Sequence, residues 1–175
     1  MPPDFEWVKK MEKDYTIPFK GLGVGKHSFK FEINEEFFES YDLPDIKKGS
    51  VSVSLDLIKE STLLDLHFQL NGKLELKCDR CLGYYIQPVE GEFRLVVKFG
   101  EAYEEESDEV IVIPQTENKI DLSQYIYEYV NLLLPIKKTH LNIEDCDPKM
   151  LEKINADTEQ EIDPRWEALK KLKLK

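Results

Sequence analysis

Alternating apolar and polar residues predict several β-strands in the first half of the chain. The clearest alternation lies at 51–57, where Val and Leu face one side and Ser and Asp the other. Two further alternating segments, 63–69 and 73–78, flank Asn71 and Gly72. Asn-Gly between such segments is typical of a type I′ turn, because both turn residues need a positive φ. We therefore predict that the two segments pair as an antiparallel hairpin.

One segment has a strong helical pattern. From Leu122 onward, apolar residues recur at i, i+3, i+4, i+7, i+8 and i+11, which places them on one face of a helix. Asp121 and Gln124 have the spacing of a capping box. Pro135 disfavours helical geometry in the residue before it, so the predicted helix covers 121–134. We expect its apolar stripe to pack on the sheet.

These elements combine into an α+β fold. We predict a curved, mostly antiparallel β-sheet or partly open barrel, with one main amphipathic helix and a short C-terminal helix. Residues 1–147 would form this β-rich globular domain. Residues 148–163 are acidic, polar and weakly patterned, which predicts a flexible linker. Asp163-Pro164 is typical of a helix start, so residues 164–175 are predicted to form a basic docking helix.

The charge of the chain limits its partners. The 175 residues include 35 acidic and 24 basic side chains, a net charge of -11, which repels a phosphate backbone unless basic residues are segregated on one surface. The average therefore argues against a general nucleic-acid binder. No apolar run is long enough to span a membrane, and residues 1–6 lack the pattern of a signal peptide. We expect a cytoplasmic protein with no membrane partner.

Three cysteines are an odd number for a disulfide framework, so metal binding, reactivity or plain burial remain. Cys78 and Cys81 offer two thiolates, and His140 and Cys146 complete a set of three thiolates and one imidazole that tetrahedral zinc accepts. Gly83, after the second thiol, suits a sharp turn of the backbone. Such zinc would be structural, since four protein ligands leave no position for water. Alternatively, Cys78 and Cys146 are small buried side chains and His140 is a surface residue.

Enzyme hypotheses have less support in the sequence. A thiol oxidoreductase using Cys78 and Cys81 is one alternative, but that motif normally opens a helix, and here β-rich sequence follows. A nuclease using the carboxylates at 101–109 is another, but these residues are too consecutive to converge on one metal. Motifs of serine hydrolases, phosphate-binding loops and zinc proteases are missing from the sequence. We therefore predict a binding protein that is not an enzyme and has no small-molecule substrate.

Four segments, in order, resemble the YceD family of large ribosomal RNA accumulation proteins. They are Leu76-Lys77-Cys78-Asp79-Arg80-Cys81-Leu82; Ile120-Asp121-Leu122 with Leu134-Pro135; His140 through Cys146; and Asp163-Pro164-Arg165-Trp166-Glu167-Ala168-Leu169-Lys170-Lys171-Leu172. The resemblance implies a non-enzymatic factor for biogenesis of the large ribosomal subunit. The implied partner is the precursor large subunit, through its ribosomal RNA or a basic ribosomal protein. A zinc-binding adaptor unrelated to ribosomes is the other binding-protein hypothesis.

Basic and aromatic residues in these segments are the candidate contacts with RNA or a partner protein. Arg80 lies between the first two cysteines, where a structural salt bridge is the alternative role. The other candidates lie in the C-terminal segment: Arg165, Trp166, Lys170, Lys171, Lys173 and Lys175. We expect these lysines to contact ribosomal RNA while the acidic body holds a basic protein.

Overall fold

The computed structural model of the chain describes residues 15–41 and 46–158, without the side chains of 155–158. The predicted docking helix at 164–175 and its six candidate contacts lie outside the described residues, so these predictions remain untested. The described helices include none that is both long and apolar enough to cross a membrane.

The described residues form two compact units. Unit 1 comprises the described residues up to 76 together with 86–136, and unit 2 comprises 77–85 together with 137–158. This division differs from the predicted boundary after residue 147. Residues 137–147 group with the cysteine segment instead of the main sheet, because the contacts described below join these two distant parts of the chain.

The described strands form two sheets. Six strands make one sheet in the order β2-β3-β4-β5-β7-β6, and β1 pairs with β8 in the other. Pairing is antiparallel between β2 and β3, β3 and β4, and β6 and β7, but parallel between β5 and β7. The larger sheet does not close into a barrel, so the predicted α+β class with a curved, mostly antiparallel sheet is confirmed. The strands are β1 Thr16–Ile17, β2 Gly25–Ile33, β3 Ile46–Lys59, β4 Leu63–Lys77, β5 Tyr84–Gly100, β6 Glu104–Ser107, β7 Val110–Pro114 and β8 Ile120–Asp121.

The predicted hairpin turn at Asn71-Gly72 is wrong. β4 continues through both residues, and they pair with Ser52 and Val51 of β3. The turn between β3 and β4 lies earlier in the chain, at residues 60–62. Gly72 does not have a positive φ, and a Cβ there would collide with the backbone oxygen of Ser50 and the Cα of Val51. Glycine is therefore required by the close approach of two strands instead of by a turn.

Three α-helices lie in the described residues: α1 Glu35–Ser40, α2 Ser123–Leu132 and α3 Pro148–Thr158. The predicted helix at 121–134 corresponds to α2, which begins two residues later because Asp121 belongs to β8. The Asp121 carboxylate accepts a hydrogen bond from the Ser123 N–H at 2.9 Å. The buried side chains of α2 fall on the predicted stripe, and Tyr129 packs against Phe68 of β4 and Phe93 of β5.

We expect Tyr129→Phe to leave the free energy of unfolding unchanged or to raise it by about 1 kcal/mol. The Tyr129 hydroxyl is buried and has no hydrogen-bond partner among the described residues, and burial raises the pKa of this group. Phenylalanine keeps the stacking on Phe93, whose ring centroid is 4.4 Å away. Urea unfolding measures the effect. Tyr125→Phe, which removes a hydrogen bond with Tyr103, should show no such gain; a clear loss of stability in Tyr129→Phe would contradict the argument.

Candidate metal centre

Four side chains of unit 2 converge on one point. Cys78, Cys81, His140 and Cys146 each offer one ligand atom, and these atoms lie within 4.8 Å of one another. The His140 Nδ1 is 3.6 Å from the Cys81 sulfur and 3.5 Å from the Cys146 sulfur. Zn–S bonds of about 2.3 Å and Zn–N bonds of about 2.0–2.1 Å give a tetrahedron whose S–N edge is about 3.6 Å. The donor set and its spacing therefore fit tetrahedral zinc bound through Nδ1.

The first two thiols lie on the cysteine loop, residues 78–83, which connects the neighbouring strands β4 and β5. The Cys78 N–H donates to the Gly83 carbonyl at 2.7 Å, and the Leu82 N–H donates to the Cys78 carbonyl at 2.9 Å. Leu82 has a φ of 61°. The left-handed residue of this turn is therefore Leu82, and the turn closes at Gly83, where the sequence predicts a sharp turn. Such a conformation costs a non-glycine residue roughly 1–2 kcal/mol.

A second loop brings the other two ligands to the same place. The Asp79 N–H donates to the Lys138 carbonyl at 2.6 Å, and the Lys138 N–H donates to the Asp79 carboxylate at 2.7 Å. This reciprocal pair fixes the segment just before His140 against the cysteine loop. A 3-10 turn at Ile143–Asp145 follows, and the Cys146 N–H donates to the Ile143 carbonyl at 3.1 Å. The hydrogen-bonded pair and this turn place His140 and Cys146 within reach of the first two thiols.

Helix α3 covers the centre, although its residues were predicted to form part of a flexible linker. The Asp147 carboxylate accepts a hydrogen bond from the Lys149 N–H at 2.9 Å, and Pro148 occupies the first helical position. Asp-Pro is a good helix start, since the acid caps the free N–H groups and proline needs none. Met150 and Leu151 then pack against the three cysteines. The linker prediction therefore differs from the structure over Pro148–Thr158, and residues 159–163 lie outside the described part.

The pKa values of Cys78 and Cys146 are shifted in opposite directions by their surroundings. Burial raises the pKa of Cys78, but hydrogen bonds from the backbone N–H groups of Cys81, His140 and Arg80 outweigh it and lower the pKa to about 6. At Cys146, burial raises the pKa, the Arg80 guanidinium lowers it, and Cys81 and Cys78 raise it again, with a raised pKa as the result. Cys78 is therefore a thiolate at neutral pH, whereas zinc must displace a proton from Cys146. Such a site binds zinc more tightly as the pH rises.

Arg80 contributes to the centre itself. Its Nη1 donates to the Cys146 sulfur at 3.6 Å, and its side chain is half-buried. A cation beside a thiolate favours the ionised form that binds metal. Neither this contact nor the packing of Tyr85, Met150 and Leu151 on the cysteines was found from the sequence. The Asp147-Pro148 pair is the sequence signal from which the helix that carries Met150 and Leu151 could have been predicted.

The arrangement favours holding a metal over catalysis. Four protein ligands complete a tetrahedral shell and leave no position for a reactive water. The three thiols are free and buried, with at most 4% of any cysteine exposed. A thiol oxidoreductase needs an accessible thiolate, so this burial does not favour the redox alternative.

Comparison with known proteins identifies the family. A family model described as Large ribosomal RNA subunit accumulation protein YceD matches residues 66–173, more than half of the chain. The matched range includes all four candidate ligands and Arg80. No curated protein and no solved structure matches the chain. The chain belongs to the YceD family, as the resemblance of its four segments predicted.

Proposed function

We propose that this member of the YceD family is a non-enzymatic assembly factor of the large ribosomal subunit. It supports accumulation of the large ribosomal RNA by binding precursor subunits, through RNA or a basic ribosomal protein. The observation that carries the proposal is the family match over residues 66–173, whose description names this RNA. The buried four-ligand cluster supports it, because a centre with no open position is suited to fixing structure.

In this proposal the cofactor is one structural zinc ion. Cys78, Cys81, His140 and Cys146 would hold it, and the ion would supply a cross-link between the cysteine loop and the segment around 137–146. That cross-link suits unit 2, whose described part is small and whose two segments are distant in sequence. Small domains often need a metal or disulfide, since their apolar core is limited.

Differently charged parts of the chain would bind different partners. The net charge of -11 favours a basic protein as partner of the acidic body. The C-terminal lysines are the natural contacts with RNA phosphates, because lysine neutralises phosphate and releases its counterions. Arg165 and Trp166 would contribute a further cation and a stacking surface.

Reversing the charge of the C-terminal lysines should weaken association with precursor large subunits. The expected loss is at least tenfold, and the salt dependence of binding should become less steep, because up to four phosphate contacts are removed. Sedimentation of the protein with precursor particles through sucrose gradients at several salt concentrations measures both effects. The variant carries Lys→Glu at Lys170, Lys171, Lys173 and Lys175.

A matched control separates these contacts from net charge. It carries the same four changes at exposed lysines of unit 1, namely Lys20, Lys30, Lys73 and Lys119. We expect the control to sediment more nearly as the wild type does. Unchanged sedimentation of the C-terminal variant would refute the role of these lysines. A wild-type protein that never accompanies precursor particles would favour the adaptor unrelated to ribosomes.

The enzyme alternative has its own test. A thiol oxidoreductase predicts rapid alkylation of Cys78 or Cys81 in the purified protein, since the attacking group is an accessible thiolate. The zinc centre predicts the opposite, with all three thiols protected until a chelator is added. Mass spectrometry of the alkylated protein distinguishes the two results.

A further inference from the structure

Strand β2 forms one edge of the six-stranded sheet. It pairs with β3 along its whole length, and no other described strand lies on its outer side. Among the described residues, its only backbone hydrogen bonds are those to β3. Helix α1, which follows β2, turns towards β3, where the Glu35 carboxylate lies 3.5 Å from the Lys48 ammonium. The outer row of N–H and C=O groups of β2 is therefore open to another strand.

This edge lacks several of the features that keep edge strands from pairing with another chain. Such strands are often very short, contain proline or a bulge, or turn a charged side chain inward. β2 has nine residues and no proline, and it pairs with β3 without a register shift. Its inward-facing side chains are His27, Phe29, Phe31 and Ile33. Phe29, in the middle of the strand, is only half-buried, and a further strand would cover it.

The exposed charges on the outward face of β2 select one register for pairing with a second copy. A two-fold antiparallel pairing keeps each face of the sheet on one side, so an outward residue must meet an outward residue and the pairing is centred on a residue. Centred on Ser28, it places Lys26 opposite Lys30, and centred on Lys30, it places that lysine opposite itself. Centred on Phe29, it places Lys26 opposite Glu32 and uses the whole strand. Like charges directly opposite destabilise a sheet, whereas unlike charges stabilise it.

We propose that two copies of this chain associate through β2, antiparallel and centred on Phe29, so that their six-stranded sheets become one continuous sheet. The two-fold axis makes the contact between Lys26 and Glu32 occur twice, and the two half-buried Phe29 rings cover each other. The partner is a second copy and not an extended segment of another protein, because β2 is complementary to itself in charge and in the position of its exposed apolar middle. The proposal is independent of the function proposed above.

Lys26 can contact a second copy without leaving its own partner. Its Nζ is 2.9 Å from the Asp56 carboxylate of β3, which also accepts a hydrogen bond from the Ser28 hydroxyl at 2.6 Å. The Lys26 side chain is still 62% exposed, and an ammonium group has three donors, so donors remain for a carboxylate of the other copy. Glu32 is exposed and has no ion-pair partner within the described part of the chain.

Charge reversal at the two ends of this contact tests the register. Sedimentation equilibrium of the full-length protein at concentrations up to about 200 µM should show the wild type approaching twice the mass of one chain. Lys26→Glu and Glu32→Lys should each raise the dissociation constant about tenfold or more, because each places like charges opposite one another at two symmetric positions. An equal mixture of the two variants should form mixed dimers with nearly the wild-type dissociation constant, since unlike charges then meet at both positions.

Two matched controls make the same charge changes on inner strands of the sheet. Lys73→Glu on β4 and Glu90→Lys on β5 alter exposed side chains and should each dimerise as the wild type does, alone or mixed. Recovery in the mixture of the two β2 variants also shows that each of them is folded, because a misfolded chain would not regain a partner. A wild type that stays monomeric at the highest concentration would overturn the proposal.

Hydrogen exchange locates the contact on the sheet. Amides of β2 should gain protection as the protein concentration rises, while those of β6, at the other edge of the sheet, should not change. A dimer that gains protection at β6 instead, or one that neither β2 variant weakens, forms through another surface and overturns the proposal. Failure of the β2 variants to recover in the mixture would overturn the register centred on Phe29.

Discussion

We expect Cys78→Ser to abolish the zinc binding proposed for the four-ligand cluster and to unfold unit 2, while the sheet of unit 1 stays folded. Cys78 has no exposed surface, and its thiol has the lowered pKa, about 6, that favours metal binding. Structural zinc sites contribute about 10–16 kcal/mol of apparent binding free energy at neutral pH, so a missing ligand has a large effect. Metal analysis should fall from about one zinc per chain towards zero. Hydrogen exchange should show loss of protection at residues 137–151 and little change in β3 and β4.

Two control variants make this result specific. His140→Cys replaces imidazole by a fourth thiolate, and zinc accepts a four-cysteine set, so metal content should be kept. Leu141→Ser changes a 95% exposed neighbour in the same loop and should leave zinc and protection unaltered. Cobalt provides an independent check, since tetrahedral thiolate coordination gives it visible absorption bands. A wild-type protein that takes up neither zinc nor cobalt would show that the convergence of these side chains has another cause.

Gly72→Ala will lower the free energy of unfolding by about 2–3 kcal/mol, and Gly72→Val by more. A Cβ at this position meets the Ser50 oxygen and Val51 Cα, which are backbone atoms of the paired strand β3 and cannot rotate away as a side chain can. β3 and β4 would have to separate locally, in the middle of a pairing that runs from residue 46 to residue 76. Urea unfolding of the two variants measures the loss.

Gly23→Ala is the matched control for this change. No atom lies within 4 Å of a Cβ at Gly23, and its φ is not positive, so alanine fits there without strain. We expect its stability to stay level or rise by about 0.4–1 kcal/mol, because alanine restricts the unfolded chain. Equal stability of Gly72→Ala and Gly23→Ala would mean that β3 and β4 are not in close contact at Gly72.

The candidate metal centre could be predicted from the sequence because zinc is selective about side-chain type. Three cysteines and a histidine are one of the usual ligand sets of structural zinc, so the residue types pointed to Cys78, Cys81, His140 and Cys146 without any knowledge of the fold. The α2 stripe was predictable for a similar reason, since its spacing follows helix geometry alone. The pKa difference between Cys78 and Cys146 could not be predicted from the sequence, because it depends on backbone N–H groups and on Arg80.

The Asn71-Gly72 motif predicts a hairpin turn wrongly, because the two-residue turn motif competes with a longer alternation of buried and exposed residues. Every even-numbered side chain from Leu64 to Cys78 except Gly72 is buried in the structure, and this alternation of apolar residues is unbroken across Asn71. An uninterrupted period of two is the mark of a single long strand, and it outweighs a two-residue turn motif. The parallel pairing of β5 with β7 could not be read locally, since no short-range pattern specifies a partner strand.

The start of α3 carries the same sequence signal as the predicted C-terminal helix. Asp163-Pro164 predicts a helix start, and Asp147-Pro148 is the same pair of residues. The acidic and polar composition after it suggested a connector, but Met150 and Leu151 supply enough apolar surface to pack on the cysteines. Tertiary packing of two side chains therefore outweighed the average composition of the segment.

The distance in sequence between the two ligand pairs sets an order of events during synthesis. Cys81 leaves the ribosome 59 positions ahead of His140, which at about 5–20 residues per second is a delay of roughly 3–12 seconds. During that interval only the first two thiols are available to bind an ion. A nascent chain that stalls before residue 146 therefore has an incomplete centre, and a fully coordinated ion marks a chain whose translation has passed Cys146.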